Sequence, residues 1–498
     1  MSKELMEQNI IKAQTEINIK KNIVKNGSMR QKYHFMAQTG WLNDPNGLIY
    51  YKGKYHFFFQ YNPYNGFWDM MHWGHAVSDD MLNWEYLPLA LAPSETYDNH
   101  QRGGCFSGSA IEHEGKLFLM YTGTTNKGKG FQQTQCIAYS NDGVHFEKYK
   151  GNPVLKAPEG IPDDQFRDPK VWKHEDTYYM VCGASRENKG QALLYKSKDM
   201  LHWTFFNVLA ESRGEWGYMW ECPDFYPIDD KYILTFSPMG SGEHTSVYMV
   251  GDFDYKTGKF NCHLCEEINW GFDYYAPQSF LAPDGRRIIV AWSNGWEWMP
   301  FWKDWGPTYN EDWCGFFNIP LEVQMMDNGR LKFVPIQELT TIRENPIHKK
   351  NLFVTKDDIE LLAGDGICFE IKMKIDLEKT NADKLELDLR SGEGKKTVCV
   401  FDFKKAEMSI DRNNADGWSK GISRSVMYLK DQRELDIHIF SDQSSLEIFT
   451  NQYQNNHSNN VFASDKQNQL KIRAHAGTVL IKDIETYGLK NDIGKEED

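Results

Sequence analysis

The sequence predicts an all-β protein, a five-bladed β-propeller followed by a C-terminal β-sandwich. Three observations carry this. A single hairpin layout recurs five times. A second strand pair follows the first three hairpins in the same order. Past residue 340 tryptophan nearly vanishes, and short strands of alternating polarity take over.

The chain opens with an extension, residues 1–30, that reads as helical. "MSKELMEQNIIKAQTEINIKK" mixes charge with isolated apolar residues and has no apolar core of signal-peptide length. No later run is long and apolar enough to span a bilayer. The nine cysteines are odd in number and follow no framework spacing, which fits free thiols in a reducing compartment. A cytoplasmic protein is therefore expected. Cys262 and Cys265 form a CxxC with no second copy, so the spacing reads as accidental. Asn26-Gly27-Ser28 matches a glycosylation acceptor but is irrelevant without export. The net charge of −14 argues against nucleic acid or an anionic membrane as partner.

The propeller is expected over residues 31–340. Its five hairpins are "GLIYYKGKYHFFFQY", "GSAIEHEGKLFLMYT", "PKVWKHEDTYYMVCG", "PDFYPIDDKYILTFS" and "PQSFLAPDGRRIIVAWS". In each, two apolar strands flank a charged or glycine turn, the pattern of a β-hairpin. The following element reads "HAVSDDMLNWEYL", "IAYSNDGVHFEKY" and "LYKSKDMLHWTFF", a strand running into a Ser-x-Asp turn with an aromatic beyond it. Those aromatics, Trp84, Phe146 and Trp203, lie about 60 residues apart, close to the length of a propeller blade. The sandwich is expected over 341–490, from period-two strands such as "ICFEIKMKIDL" and "ELDIHIFSDQSSLEIFT". Residues 491–498 form a charged tail.

The repeat gives meaning to three carboxylates. Asp44, in "WLNDPNGLIY", is followed by Pro45, which holds it extended at the mouth of a strand expected to begin near Leu48. Asp168 in "FRDPKVW" and Glu221 in "WECPDFY" hold similar places in the third and fourth repeats. Asp-Pro at one strand start is an ordinary turn signal. Three such acids at the first strands of blades converge on one channel mouth, with Trp41, Trp68, Trp220 and Trp296 expected beside them. Crowded acids repel, so at least one should be hard to ionise. A pair of carboxyls, one ionised and one protonated, is what glycosidic bond cleavage needs. Aromatics would offer a sugar a stacking surface. His72 and His75 in "HWGH" lack a third ligand and read as structural.

At these residues the sequence resembles glycoside hydrolase family 32, which includes invertases, sucrose-6-phosphate hydrolases, inulinases and levanases. The resemblance runs from about Tyr33 into the C-terminal sandwich and rests on "WLNDPNG", "FFFQYNP", "WGHAVSDDMLNW", "CFSGSA", "FRDPKVW", "WECPDF" and "DYYAPQSF…WSNGW". It implies a five-bladed propeller joined to a sandwich. It implies Asp44 as nucleophile toward C2 of a β-fructofuranosyl unit, Glu221 as general acid/base and Asp168 as transition-state stabiliser, with Arg167 holding the acids. Asn43, Gln60, Trp68, Phe106, Ser107, Cys222, Tyr275 and Trp296 match positions that shape the fructosyl pocket. Leu42, where members often carry Met, and Trp220 are mild departures. No metal or other cofactor is implied. The expected partner is a small sugar, sucrose or a close derivative, with Arg102, Lys127 and Lys129 available to meet a 6-phosphate at the rim. Aromatic neighbours are expected to desolvate Glu221 and favour its protonated form. The rival readings are an inverting arabinan- or xylan-directed propeller hydrolase, a non-catalytic sugar-binding propeller, and a transfructosylase.

Overall fold

The computed structural model describes residues 2–128, 130–242, 244–296 and 306–490. They divide into two compact units. The first holds residues 1–25, 36–267 and 274–330, and the second holds 26–35, 268–273 and 331–498.

The first unit begins with helix α1, Ser2–Lys25. Met6, Ala13, Ile17 and Val24 are buried along one side of it, at helical spacing. Polar contacts fix it to the rest of the unit: Asn9 donates to the Pro93 carbonyl at 2.7 Å, and Lys20 donates to the Tyr64 carbonyl at 2.8 Å.

Strands build the remainder of this unit. Five antiparallel sheets begin with lead strands Gly40–Tyr51, Gly104–His113, Phe166–His174, Met219–Ile228 and Tyr275–Leu281. Each lead strand pairs with the next strand in the chain, as the hairpin pattern requires. The turns obey their chemistry. Lys52 and Gly53 have φ of 47° and 86°, and Glu114 and Gly115 have 50° and 74°, so both central residues are left-handed as a two-residue hairpin turn demands. The Ser-x-Asp element repeats in three sheets. Ser78, Ser140 and Ser197 each donate to the aspartate two residues on, at 3.0, 2.8 and 3.0 Å, and each turn contains one left-handed residue, Met81, Gly143 or Met200.

The lead strands neighbour one another in chain order, and the fifth also neighbours the first, closing a ring. Trp313–Cys314 adds a parallel pairing to Gly40–Trp41 at the opening of the first lead strand. Every lead strand is also broken in register near its start: between Leu42 and Pro45, Phe106 and Gly108, Arg167 and Lys170, Glu221 and Asp224, and Tyr275 and Gln278. Proline cannot donate to a ladder, and a bulge is where a strand tolerates it. Pro169, Pro223 and Pro277 fall inside these breaks, and Pro45 closes the first. The expected strand start near Leu48 is thereby corrected. The strand begins at Gly40, and Asp44 lies in a bulge within it.

The second unit is a sandwich of two six-stranded sheets. Phe369, Ile371 and Met373 of one sheet and Leu385, Leu387 and Cys399 of the other share a single buried core. A buried charge cluster joins residues 26–35 to this unit. His34 Nδ1 lies 2.8 Å from Asp442, its Nε2 lies 3.1 Å from Glu447, and the ring is fully buried. Burial alone would favour the neutral ring, but the hydrogen bonds the charged ring donates to Asp442 and Glu447 prevail and push the His34 pKa up to about 9. A pKa raised on folding stabilises fully below the unfolded value near 6.5 and is lost as pH rises through about 9. The expected contribution is roughly 3 kcal/mol. Calorimetry of His34→Gln should show a lowered Tm at pH 6, and a smaller drop between pH 6 and pH 10 than the unsubstituted protein shows. Equal drops in the two proteins would refute the charge assignment.

Candidate active site

The bulges set two tiers of side chains at one end of the ring. Arg167, Glu221 and Tyr275 each stand immediately before the register break of their strand. The residues that follow, Asp168, Cys222 and Ala276, are all left-handed, with φ of 63°, 47° and 52°. Glu221 is thus the counterpart of Arg167, one step before the level of Asp168, and the three acids are not in a single register. The offset has a chemical result. The first tier forms a chain of hydrogen bonds across neighbouring sheets: Arg167 Nε donates to Glu221 Oε1 at 2.9 Å, and the Tyr275 hydroxyl donates to Glu221 Oε2 at 2.6 Å. In the second tier the Cys222 backbone N–H donates to Asp168 Oδ2 at 2.9 Å.

Asp44 is nine-tenths buried. Its Oδ2 accepts from Ser107 Oγ at 2.6 Å and from Cys222 Sγ at 3.4 Å. Its Oδ1 has no hydrogen-bond partner among the described residues. One oxygen is therefore anchored and the other is left bare. Burial pushes the Asp44 pKa up to about 6, and the charge of Glu221 adds to this, against the hydrogen bonds from Ser107 and Cys222. Asp168 is raised to about 7, chiefly by burial, with Arg167 opposing and Glu221 and Asp44 reinforcing. Acids this close titrate as one system. The groups that hydrogen-bond Glu221 are the Arg167 guanidinium and the hydroxyl of the aromatic Tyr275.

These residues border a cavity of about 910 Å³. Asn43, Gln60, Trp68, Phe106, Ser107, Arg167 and Trp296 line it together with Asp44, Asp168 and Glu221. Cys222 and Tyr275 sit behind that lining, against Asp44 and Glu221. Two of the four tryptophans expected at the mouth lie elsewhere. Trp41 is buried, and its Nε1 donates to Asn43 Oδ1 at 2.7 Å, orienting that amide. Trp220 is buried too. It stacks on Phe236 with centroids 3.8 Å apart and donates to the Trp216 carbonyl at 2.7 Å. Its seat needs glycine, because a Cβ at Gly190 would come within 2.2 Å of the indole. His72 and His75 are buried, with pKa values pushed down by burial, and contact the Met70 carbonyl and His56. Among the described residues no cluster of His, Cys, Asp and Glu is arranged to hold a metal ion.

Sequence reasoning missed Gln133, whose Oε1 accepts from Arg167 Nη1 at 3.3 Å and from the Phe166 N–H at 3.1 Å. It also missed Thr122, whose Oγ1 accepts from the Asp168 N–H at 3.0 Å. Both lie on the second and third strands of the second sheet, where nothing in the repeat distinguishes them. Of the three cations expected at the rim, Arg102 lines the catalytic cavity. Lys127 lines another cavity, and Lys129 lies outside the described residues.

Comparison with known proteins agrees with this arrangement. Residues 34–335 match the family model described as "Glycosyl hydrolases family 32 N-terminal domain", and residues 338–488 match "Glycosyl hydrolases family 32 C terminal". A sucrose-6-phosphate hydrolase of Escherichia coli is 35% identical over 90% of this chain and 93% of its own length. A raffinose invertase of Escherichia coli is 37% identical over 91% and 93%. Among solved structures, a mutant GH32 beta-fructofuranosidase of Bombyx mori in complex with sucrose superposes with a TM-score of 0.81 at 31% identity, over 98% of this chain and 99% of that one. A five-sheet ring carrying three carboxylates, with both family domains matched end to end, is what this sequence builds, and the chain belongs to glycosyl hydrolase family 32.

Proposed function

We propose that this chain is a retaining β-fructofuranosidase that releases the terminal fructosyl unit of sucrose or of sucrose 6-phosphate. The observation that carries the reading is the asymmetry of the carboxylates. Asp44 borders the cavity with one oxygen anchored by Ser107 and Cys222 and the other, buried, without a partner, while both oxygens of Glu221 are held by Arg167 and Tyr275. In the first step the Asp44 carboxylate bonds to the anomeric C2, the C2–O bond breaks, and Glu221 gives its proton to the departing glucosyl oxygen. In the second step water passes a proton to Glu221 and bonds to C2, and Asp44 leaves. Asp168, held by the Cys222 N–H, accepts hydrogen bonds from fructosyl hydroxyls as the ring gains positive charge. The five closed sheets support a five-bladed propeller as the catalytic domain, over about 31–340, with the sandwich over 341–490. Relatives that are sucrose-6-phosphate hydrolases and an invertase favour this substrate class over arabinan or xylan.

Arg102 is exposed, lines the cavity, and has its backbone tied to Asp69 at 3.3 Å. Of the two candidate cations among the described residues, it is the one beside the catalytic cavity, where a phosphate on the leaving sugar would reach it. Steady-state kinetics with sucrose, sucrose 6-phosphate and high-molecular-weight levan tests the reading. Sucrose and its 6-phosphate should be cleaved, and levan more slowly. Arg102→Ala should lower kcat/KM for the 6-phosphate about five- to tenfold, with sucrose changed less than twofold. Levan equal to sucrose would defeat the small-substrate reading, and equal losses on both sucroses would remove Arg102 from phosphate recognition.

A further inference from the structure

A second cavity, of about 490 Å³, lies in the first unit on the other side of the wall formed by Gln133. Thr124 faces the catalytic cavity and Thr125 faces this one, as alternation along a strand requires, and Gln133 lines both. Lys3 and Met6 of helix α1 form part of its border, and Lys3 lies 3.7 Å from Glu147 across it. The remaining wall is rich in neutral hydrogen-bonding groups, including Thr96, Tyr97, Gln132, Thr134, Tyr149 and Asn152.

The cations here are of two kinds. Lys148 is buried and fully used: its Nζ donates to the Ala92 carbonyl at 2.8 Å, to Ser94 Oγ at 3.0 Å and to Asp98 Oδ2 at 2.6 Å. It holds the cavity floor. Lys127, Lys150 and Lys156 are exposed at the rim and form no ion pair among the described residues, while Glu95 and Asp163 are the acids beside them once Glu147 is matched with Lys3. In a chain of net charge −14, Lys127, Lys150 and Lys156 set against Glu95 and Asp163 leave this one polar cavity with a net positive charge at its rim.

We propose that this cavity binds a small phosphorylated saccharide, and that its occupant acts on the catalytic acid through Gln133. The size suits a monosaccharide with one phosphate. Amide and hydroxyl groups match sugar hydroxyls, the tyrosine rings offer apolar faces to the sugar, and the rim lysines take the phosphate. The route to catalysis is short. Gln133 Oε1 accepts from Arg167 Nη1, and Arg167 Nε donates to Glu221 Oε1. A ligand that draws the Gln133 amide toward itself loosens Arg167 and thereby the hold on Glu221. The phosphorylated leaving group of sucrose 6-phosphate is of this ligand class, so the cavity would let a product report back on its own release. That effect on turnover rests on the assignment of Glu221 given above, whereas the binding does not.

Isothermal titration calorimetry of the full chain with glucose 6-phosphate, glucose and inorganic phosphate tests the binding. Glucose 6-phosphate should bind at least tenfold more tightly than either component. The triple variant Lys127→Ala, Lys150→Ala, Lys156→Ala should weaken it at least tenfold and leave kcat/KM for sucrose, without ligand, within twofold. Equal affinity for glucose or for phosphate alone overturns the proposal, as does unchanged binding in the triple variant. So does displacement by sucrose in Asp44→Asn with loss of binding in Arg102→Ala, since the ligand would then sit in the catalytic cavity. The coupling is read separately. Saturating glucose 6-phosphate should shift the pH profile of kcat/KM in the unsubstituted protein and not in the triple variant. A bound ligand with an unmoved profile overturns the coupling. Absence of any sucrose hydrolysis overturns the catalytic assignment instead, and calorimetry still decides the binding.

Discussion

Replacing Asp44 with asparagine is expected to lower kcat/KM for sucrose by a factor on the order of 10³ or more and, at the same time, to raise the melting temperature at pH 7. The two effects share a cause. The carboxylate is buried with one oxygen unpartnered, which suits an attacking group and burdens the fold. Its pKa is raised from 3.8 to about 6. A carboxyl raised on folding destabilises the native state above its folded pKa and has no effect below the unfolded one. Two units correspond to roughly 3 kcal/mol. The gain in Tm should therefore be present at pH 7 and absent at pH 3. In the unsubstituted protein the proposed mechanism predicts retention, so the first sugar seen by rapid NMR should be β-fructofuranose, and a rapidly quenched reaction should leave a fructosyl group on the peptide containing Asp44. An α-anomer appearing first would revive an inverting mechanism. A variant that keeps more than a tenth of the activity would remove Asp44 from the nucleophile's role.

Much of this site is written in the sequence because it is periodic. Hairpin turns have local rules, and Lys52-Gly53 or Glu114-Gly115 obeys them whatever surrounds it. The Ser-x-Asp turns repeat for the same reason, since Ser78, Ser140 and Ser197 bond within their own loop. The bulges were harder to see. Asn-Asp-Pro-Asn-Gly reads locally as a turn, and only a partner strand, here Lys54–Asn62, turns it into the kinked start of a longer strand. That kink decides which side chains share a level, so the pairing of Glu221 with Arg167 and Tyr275 could not be read from spacing. Tryptophans are ambiguous in the same way. Trp41 and Trp68 look alike in sequence, yet Trp41 lies in the first lead strand behind Asn43, while Trp68 lies in the loop between Asn62 and His72 and lines the cavity. Gln133 and Thr122 carry no motif at all. They matter only because the third lead strand passes beside the second sheet.

Replacing Glu221 with glutamine should separate proton transfer from nucleophilic attack. The amide can keep contacts to Arg167 and Tyr275 but cannot supply a proton, so kcat/KM for sucrose should fall by about 10²–10⁴. A β-fructoside with a good leaving group, such as a nitrophenolate, needs little protonation as it departs. With that substrate the first step should be much less impaired, and a fructosyl-enzyme should accumulate because no base remains to activate water. Added azide, which needs no deprotonation, should then restore turnover in Glu221→Gln and not in Asp44→Asn. Equal losses on sucrose and on the activated substrate, with no rescue by azide, would mean that Glu221 merely supports the architecture of Arg167 and Tyr275.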